Sequence, residues 1–182
     1  VVVRDQVARV KDDVGGTGID VAKSGELTLR DSLVVANHYA GVQVNGSKAT
    51  LERCLVLDTA PDTAGDGGFG LAFTTEALRT SEGAVFDTLV RGSRYVGIAA
   101  VGSRLSLERV VVDGTRPRAS DSGYGDGIAV SSATLPSGFA PAALSAYEVH
   151  VRGSARAAMS VFGAQLSVRR TLLTCGGFMI WW

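Results

Sequence analysis

The chain has 182 residues, 18 Lys+Arg against 18 Asp+Glu, and 46% apolar residues. The zero net charge excludes a nucleic-acid binder working through a basic face, the apolar fraction excludes global disorder, and two cysteines with two histidines are too few for a conventional zinc module. Glycine at 23 residues, against 4 prolines, points to a turn-dense β protein.

In chain order, residues 6–14 read as a loop. The block Leu27-Thr28-Leu29-Arg30-Asp31-Ser32-Leu33-Val34 then sets a pattern that returns at Ala49, Gly83, Leu105, Leu144 and Leu166. The steps between blocks are 22, 34, 22, 39 and 22 residues, so short and long repeats alternate. Each block opens with apolar residues at its first and third positions, the period of a strand facing a core. A second alternating piece follows a glycine, as in Gly41-Val42-Gln43-Val44 and Gly127-Ile128-Ala129-Val130. Nothing recurs at helical spacing. The longer steps place loops at 60–68, 74–82, 116–126 and 131–143. The longest uncharged stretch, 127–147, contains Pro136 and Pro141 and is no spanning helix. The sequence begins at Val1 and ends within a repeat on Trp181-Trp182, which predicts a longer natural chain and assigns the two tryptophans to plugging the lower end.

Stacking such repeats puts equivalent residues about 4.8 Å apart. The fifth position runs Asp31, Arg53, Asp87, Arg109, Glu148, Arg170, an alternation of acid and base that predicts one ladder of opposite charges holding register. The eleventh runs Asn37, Thr59, Ser93, Thr115, Ser154, Gly176, which predicts a small polar ladder at a corner, each side chain satisfying a neighbouring coil. Cys54 and Cys175, four coils apart, lie too far from each other for a disulfide, and Cys54 reads as a small buried group.

This grammar, over essentially the whole chain, resembles the right-handed parallel β-helix family, the pectin-lyase-like fold. The expectation is an all-β, single-stranded right-handed parallel β-helix of about six to seven coils, one domain over 1–182. The resemblance implies an extracellular or cell-surface location, flanking coils or domains, and either a polysaccharide-binding scaffold or a polysaccharide lyase.

Several motifs bear on chemistry. Gly65-Asp66-Gly67-Gly68-Phe69-Gly70 matches GxGxxG, but a dinucleotide site needs a helix next, and Leu71-Ala72-Phe73-Thr74-Thr75 reads as strand. The two long loops share a plan: Thr59-x-Pro61 leads to Asp66 and Phe69, and Thr115-x-Pro117 leads to Asp121 and Tyr124. Loops leaving one corner every second coil would wall a groove. Rings stack on sugar faces while acids hold hydroxyls, so Asp66, Phe69, Asp121 and Tyr124 are the candidate substrate-binding residues. The simpler account is that the rings cover the coil and the acids shape turns. Loop acids also suit Ca²⁺, although no repeat carries a full ligand set and no cofactor is otherwise implied. His38-Tyr39 and Arg94-Tyr95 occupy equivalent corners; in lyases of this fold such residues act as base at a uronate carbon, which makes these four the candidate catalytic residues, with surface corner positions as the alternative. His150 sits inside a strand. No nucleophile elbow or acid pair of a hydrolase is present. Asn45-Gly46-Ser47 is a glycosylation sequon that also reads as a plain turn. The regular repeat, with no cluster of ionisable groups breaking its rule, favours binding of a polysaccharide over catalysis.

Overall fold

The computed structural model describes residues 1–7, 15–77, 79–118, 120–136 and 138–175. Three parallel sheets run the length of the molecule, of seven, six and six strands. The first contains Leu33–Val35, Leu55–Leu57, Leu89–Arg91 and Val111–Asp113; the second Ala40–Asn45, Phe69–Thr74, Val96–Val101 and Asp126–Ser131; the third Glu26–Arg30, Lys48–Glu52, Glu82–Phe86 and Arg104–Glu108. The chain visits the three in rotation, each visit adding one parallel strand to each sheet. This is the parallel β-helix the repeats predict. Registers follow the repeats residue for residue, Leu27 on Ala49 and Leu105 on Leu144. Among the described residues no helix is long and apolar enough to cross a membrane.

The core lies between the sheets. Val34, Val56, Val90, Val112 and Val151 form one buried column and Val42, Leu71, Ile98 and Ile128 another. Stacking of like side chains on like is what a solenoid repeat provides, because each coil buries its apolar stripe only against its neighbours. Cys54 is a buried free thiol.

The corners carry the departures from regular geometry. Asp31, Arg53, Asp87, Arg109, Glu148 and Arg170 all have φ between 48° and 53°. The left-handed conformation costs a non-glycine residue about 1–2 kcal/mol. What opposes that cost is continuity of hydrogen bonding: the amides of Asp31, Arg53, Asp87, Arg109 and Glu148 each donate to a carbonyl of the next coil, at 3.0–3.2 Å. The side chains then pair along one column, Arg53 to Asp31 at 2.7 and 2.9 Å, Arg109 to Asp87 at 2.6 and 3.0 Å, Arg170 to Glu148 at 3.3 Å. The predicted charge ladder is present, as three acid–base pairs. Where the next residue carries a hydroxyl, it bonds the carbonyl two residues back, Ser32 to Arg30 at 2.6 Å, Thr88 to Phe86 at 2.7 Å and Thr171 to Arg169 at 3.1 Å; at the other three corners Cys54, Val110 and Val149 are buried there instead. Ser47 and Ser103 repeat this device at the corner between second and third sheets.

The polar ladder at the remaining corner behaves differently. Asn37, Thr59, Ser93, Thr115 and Ser154 do stack at one corner, and all five are buried. Asn37 Oδ1 accepts the Gln6 amide of the neighbouring coil at 3.2 Å, as expected, but Asn37 Nδ2 and the hydroxyls of Ser93, Thr115 and Ser154 find no hydrogen-bond partner, so the expected satisfaction does not extend along the ladder. Their oxygens instead fill the space left by a column of glycines. A Cβ on Gly41 would stand 3.2 Å from Thr59 Oγ1, one on Gly70 2.7 Å from Ser93 Oγ, and one on Gly97 3.1 Å from Thr115 Oγ1. A small hydroxyl fits there where a larger side chain does not.

Two expected loops differ. Residues 131–143 hold an antiparallel hairpin, Ala133–Leu135 with Gly138–Ala140, and 74–82 closes on itself through paired hydrogen bonds between Glu76 and Arg79. The strand Phe69–Thr74 follows the glycine-rich segment directly, so the dinucleotide motif lacks its helix. The sequon forms a tight turn, with Gly46 at φ 53° and Ser47 buried. His150 lies within a strand, between Val111 and Leu172. Gly176, Trp181 and Trp182 lie outside the described residues.

Candidate functional site

The two long loops leave the corner between the first and second sheets. The first closes on Asp62: its amide donates to the Asp66 carbonyl at 2.8 Å, its Oδ1 accepts the Asp66 amide at 2.9 Å, and its carbonyl accepts the Gly65 amide at 3.0 Å. The second closes through Arg118, whose amide donates to the Gly123 carbonyl at 3.0 Å, while Asp121 Oδ1 accepts the Gly123 amide at 2.8 Å. Gly67, at φ 76°, brings the first loop hard against Tyr39; a Cβ there would stand 2.6 Å from both Tyr39 Cα and Cδ2.

Arg118 ties the loops together. Its guanidinium donates to Asp121 at 3.2 and 2.5 Å and to Asp66 at 3.4 Å. Ser120 Oγ adds a bond to the Gly65 carbonyl at 3.4 Å. The loops thus stand side by side, as a wall requires.

Under them runs a row of rings. Tyr39 meets Phe69 edge-on with centroids 6.3 Å apart, Phe69 meets Tyr95 at 4.8 Å and 88°, and Tyr95 meets Tyr124 at 4.5 Å. Arg118 lies over the Tyr95 ring at 5.0 Å and Arg156 over the Tyr124 ring at 4.5 Å. Arg156 also makes a two-pronged bond to Asp126, Nε to Oδ1 at 2.7 Å and Nη2 to Oδ2. Asp126 is fully buried, in the register position held by Ala40, Phe69 and Val96 in the coils before it. A buried acid tolerates that place only while fully paired.

The four predicted binding residues come together. Phe69 is half-buried between two tyrosines and serves chiefly as packing, whereas Tyr124 is 41% exposed and ends the row at the surface. Asp66 and Asp121 are exposed; Arg118 holds Asp121 through both carboxylate oxygens and Asp66 through one. Tyr39 and Tyr124 both sit at φ 64°. A bulky aromatic in the left-handed region is strained, and such strain concentrates at functional sites.

Of the candidate catalytic residues, Tyr39 and Tyr95 belong to the row. The ring of His38 turns to the Pro61 carbonyl, Nδ1 to oxygen 2.8 Å; a carbonyl only accepts, so Nδ1 carries the proton. Arg94 is half-buried beside Gly68. Burial raises the Tyr39 phenol above its ordinary pKa, and the nearby Asp62 and Asp66 carboxylates add to this. Burial and the Tyr124 hydroxyl push Tyr95 up to about 12. Both phenols therefore keep their protons at neutral pH, the reverse of what a phenolate base requires.

Among the described residues no cluster of three or more His, Cys, Asp or Glu could hold a metal, and the loop acids Asp66 and Asp121 are both bonded by the Arg118 guanidinium. A groove of about 540 Å³ lies away from the loops, on the third sheet among Arg104, Ser106, Ser145 and Gln165, and its lining includes no aromatic residue.

Asp62, Arg118, Asp126 and Arg156 were not singled out by sequence. An acid at an apolar register position signals Asp126 in retrospect, and the Arg118–Asp121 spacing within one loop signals that pair.

The Arg118 clasp carries a pH prediction. Arg118, and next the Gly123 amide, lower Asp121 to about 2. An unfolded Asp titrates near 3.9, so this stabilisation is present above about pH 4 and is lost as pH falls toward about 2. Arg53 and Arg109 likewise lower Asp31 and Asp87. Melting temperature is expected to fall over that window, and Arg118→Met to flatten part of the fall. An unchanged acid limb in the variant would show that the clasp contributes nothing.

No family model, curated protein or solved structure matches the chain.

Proposed function

We propose that this β-helix is a polysaccharide-binding scaffold which holds sugar against the loop wall at Tyr124. The carrying observation is the row of four rings that ends in an exposed tyrosine held at φ 64°. The ring is held by Tyr95 and Arg156 in a costly conformation, and 41% of the residue's surface remains open to solvent beside the loops. Exposed carboxylates on both loops supply acceptors for sugar hydroxyls beside it, and the protonated phenols of Tyr39 and Tyr95 supply donors. The same features favour holding over proton abstraction, and the repeat grammar's resemblance to the pectin-lyase-like fold supports a scaffold that works outside the cell or on its surface.

Tyr124→Gly separates the roles of this residue. It removes the ring and relieves the backbone, and the lost Tyr95 contact of about 0.5–1.5 kcal/mol is offset by the relieved strain of about 1–2 kcal/mol. Stability should therefore stay nearly unchanged, while retardation in gels containing polysaccharide should weaken by about tenfold or more, the loss typical of an interface anchor. Equal retardation of both proteins would remove Tyr124 from any binding role.

A further inference from the structure

The charges around the ring row say what kind of sugar fits it. Both guanidiniums stacked on the row are already engaged by carboxylates: Arg118 spends three N–H groups on Asp121 and Asp66, and Arg156 spends two on Asp126. Asp62 is 5% exposed, and its Oδ2 has no hydrogen-bond partner. A buried carboxylate oxygen left in this way projects its charge with little screening. The charged groups that bear on the Tyr39 phenol are Asp62 and Asp66, both acids; on Tyr95 they are Arg118 and Asp121, which oppose each other.

A uronate brought to this wall meets two obstacles. It faces Asp66 and Asp121 as like charges. To gain either guanidinium stacked on the row it must take Arg118 from those acids or Arg156 from Asp126, and the second choice strands a fully buried carboxylate. A neutral sugar meets neither. Its hydroxyls donate to Asp66 Oδ2, which Arg118 leaves free, and to the remaining lone pairs of the exposed Asp121 carboxylate, and its ring face lies on Tyr124.

We infer that the loop wall selects an uncharged, hydroxyl-rich polysaccharide and excludes uronate polymers, with Asp66 and Asp121 as the specificity-determining residues. This rests on the polysaccharide-binding reading above. The test is affinity gel electrophoresis at low ionic strength with galactomannan, a neutral β-glucan, xylan, polygalacturonate and alginate. The expected result is retardation by at least one neutral polymer and none by the two uronates. Asp66→Asn with Asp121→Asn releases Arg118, and that variant should gain polygalacturonate binding by tenfold or more, abolished by added salt. Asp66→Asn alone, which leaves the Asp121 bond in place, should gain less; melting curves confirm that each variant is folded. Wild-type protein retarded by polygalacturonate as strongly as by any neutral polymer overturns the inference and leaves the polysaccharide reading standing. A folded double variant that still ignores polygalacturonate also overturns it. Retardation by none of the five polymers sinks the reading and the inference together.

Discussion

Gly97→Ala should destabilise the protein by about 3 kcal/mol, the upper range for overpacking, which lowers the melting temperature of a chain this long by about 6–12 °C. The backbone at Gly97 has an ordinary φ, so the usual conformational case for glycine does not apply. The obstacle is space. An alanine Cβ would stand 2.5 Å from the Gly127 carbonyl oxygen, 2.5 Å from Val112 Cγ1 and 3.1 Å from Thr115 Oγ1. The first of these is backbone of the next coil and cannot move without shifting the stack; the second belongs to the buried valine column. Gly114→Ala is the control. Its φ is 66° and nothing lies within 4 Å of the added carbon, so it should cost only the left-handed penalty of about 1–2 kcal/mol. Val112→Ala added to Gly97→Ala relieves one contact and should restore part of the loss. Equal melting temperatures for Gly97→Ala and Gly114→Ala would show that the glycine column is not a close approach of coil to coil.

That column marks where sequence reading stops. Coil assignment, register, the charge ladder of Asp31 to Arg170 and the stacking of Asn37, Thr59, Ser93, Thr115 and Ser154 at one corner were all legible, because a solenoid turns spacing along the chain into contact between neighbours. Contacts off the repeat were not. Arg118 reaches Asp66 across 52 residues, and the offset between two insertions of different length encodes no register. The pairing of Asp126 with Arg156 spans 30 residues and joins a strand residue to a corner residue, positions that the repeat treats as unrelated. The missing partners of Ser93, Thr115 and Ser154 were illegible for another reason. A hydroxyl at a corner reads the same whether it bonds a carbonyl, as Ser32 and Thr88 do, or fills the hollow beside a glycine. The candidate site therefore came through as four residues, while the two arginines that organise its charge emerged only with the fold.

The exchange of bulk between Phe73 and Gly83 shows how the stack absorbs an exception, and it yields the second large effect. Gly83 occupies a column otherwise filled by Leu27, Ala49, Leu105 and Leu144, and Phe73 one otherwise filled by Val44, Ala100 and Val130. The Phe73 ring, fully buried, takes the volume Gly83 vacates: a Cβ on Gly83 would meet the ring at Cε1 and stand 2.8 Å from Cζ. Phe73→Ala should therefore cost about 4 kcal/mol, within the usual range for a buried phenylalanine. Gly83→Ala alone should also destabilise, by about 1–3 kcal/mol, through collision with the ring. On the Phe73→Ala background its sign should reverse. The ring is then gone, and the remaining close atom, Leu105 Cδ1 at 2.6 Å, is the end of a side chain that can rotate away. Reduced freedom of the unfolded chain then favours alanine by about 0.4–1 kcal/mol. The double-mutant cycle, read by urea denaturation, should give a coupling of about 2 kcal/mol. Additive losses would mean that ring and glycine do not share the same space, and that the repeat tolerates Gly83 for a reason unconnected with Phe73.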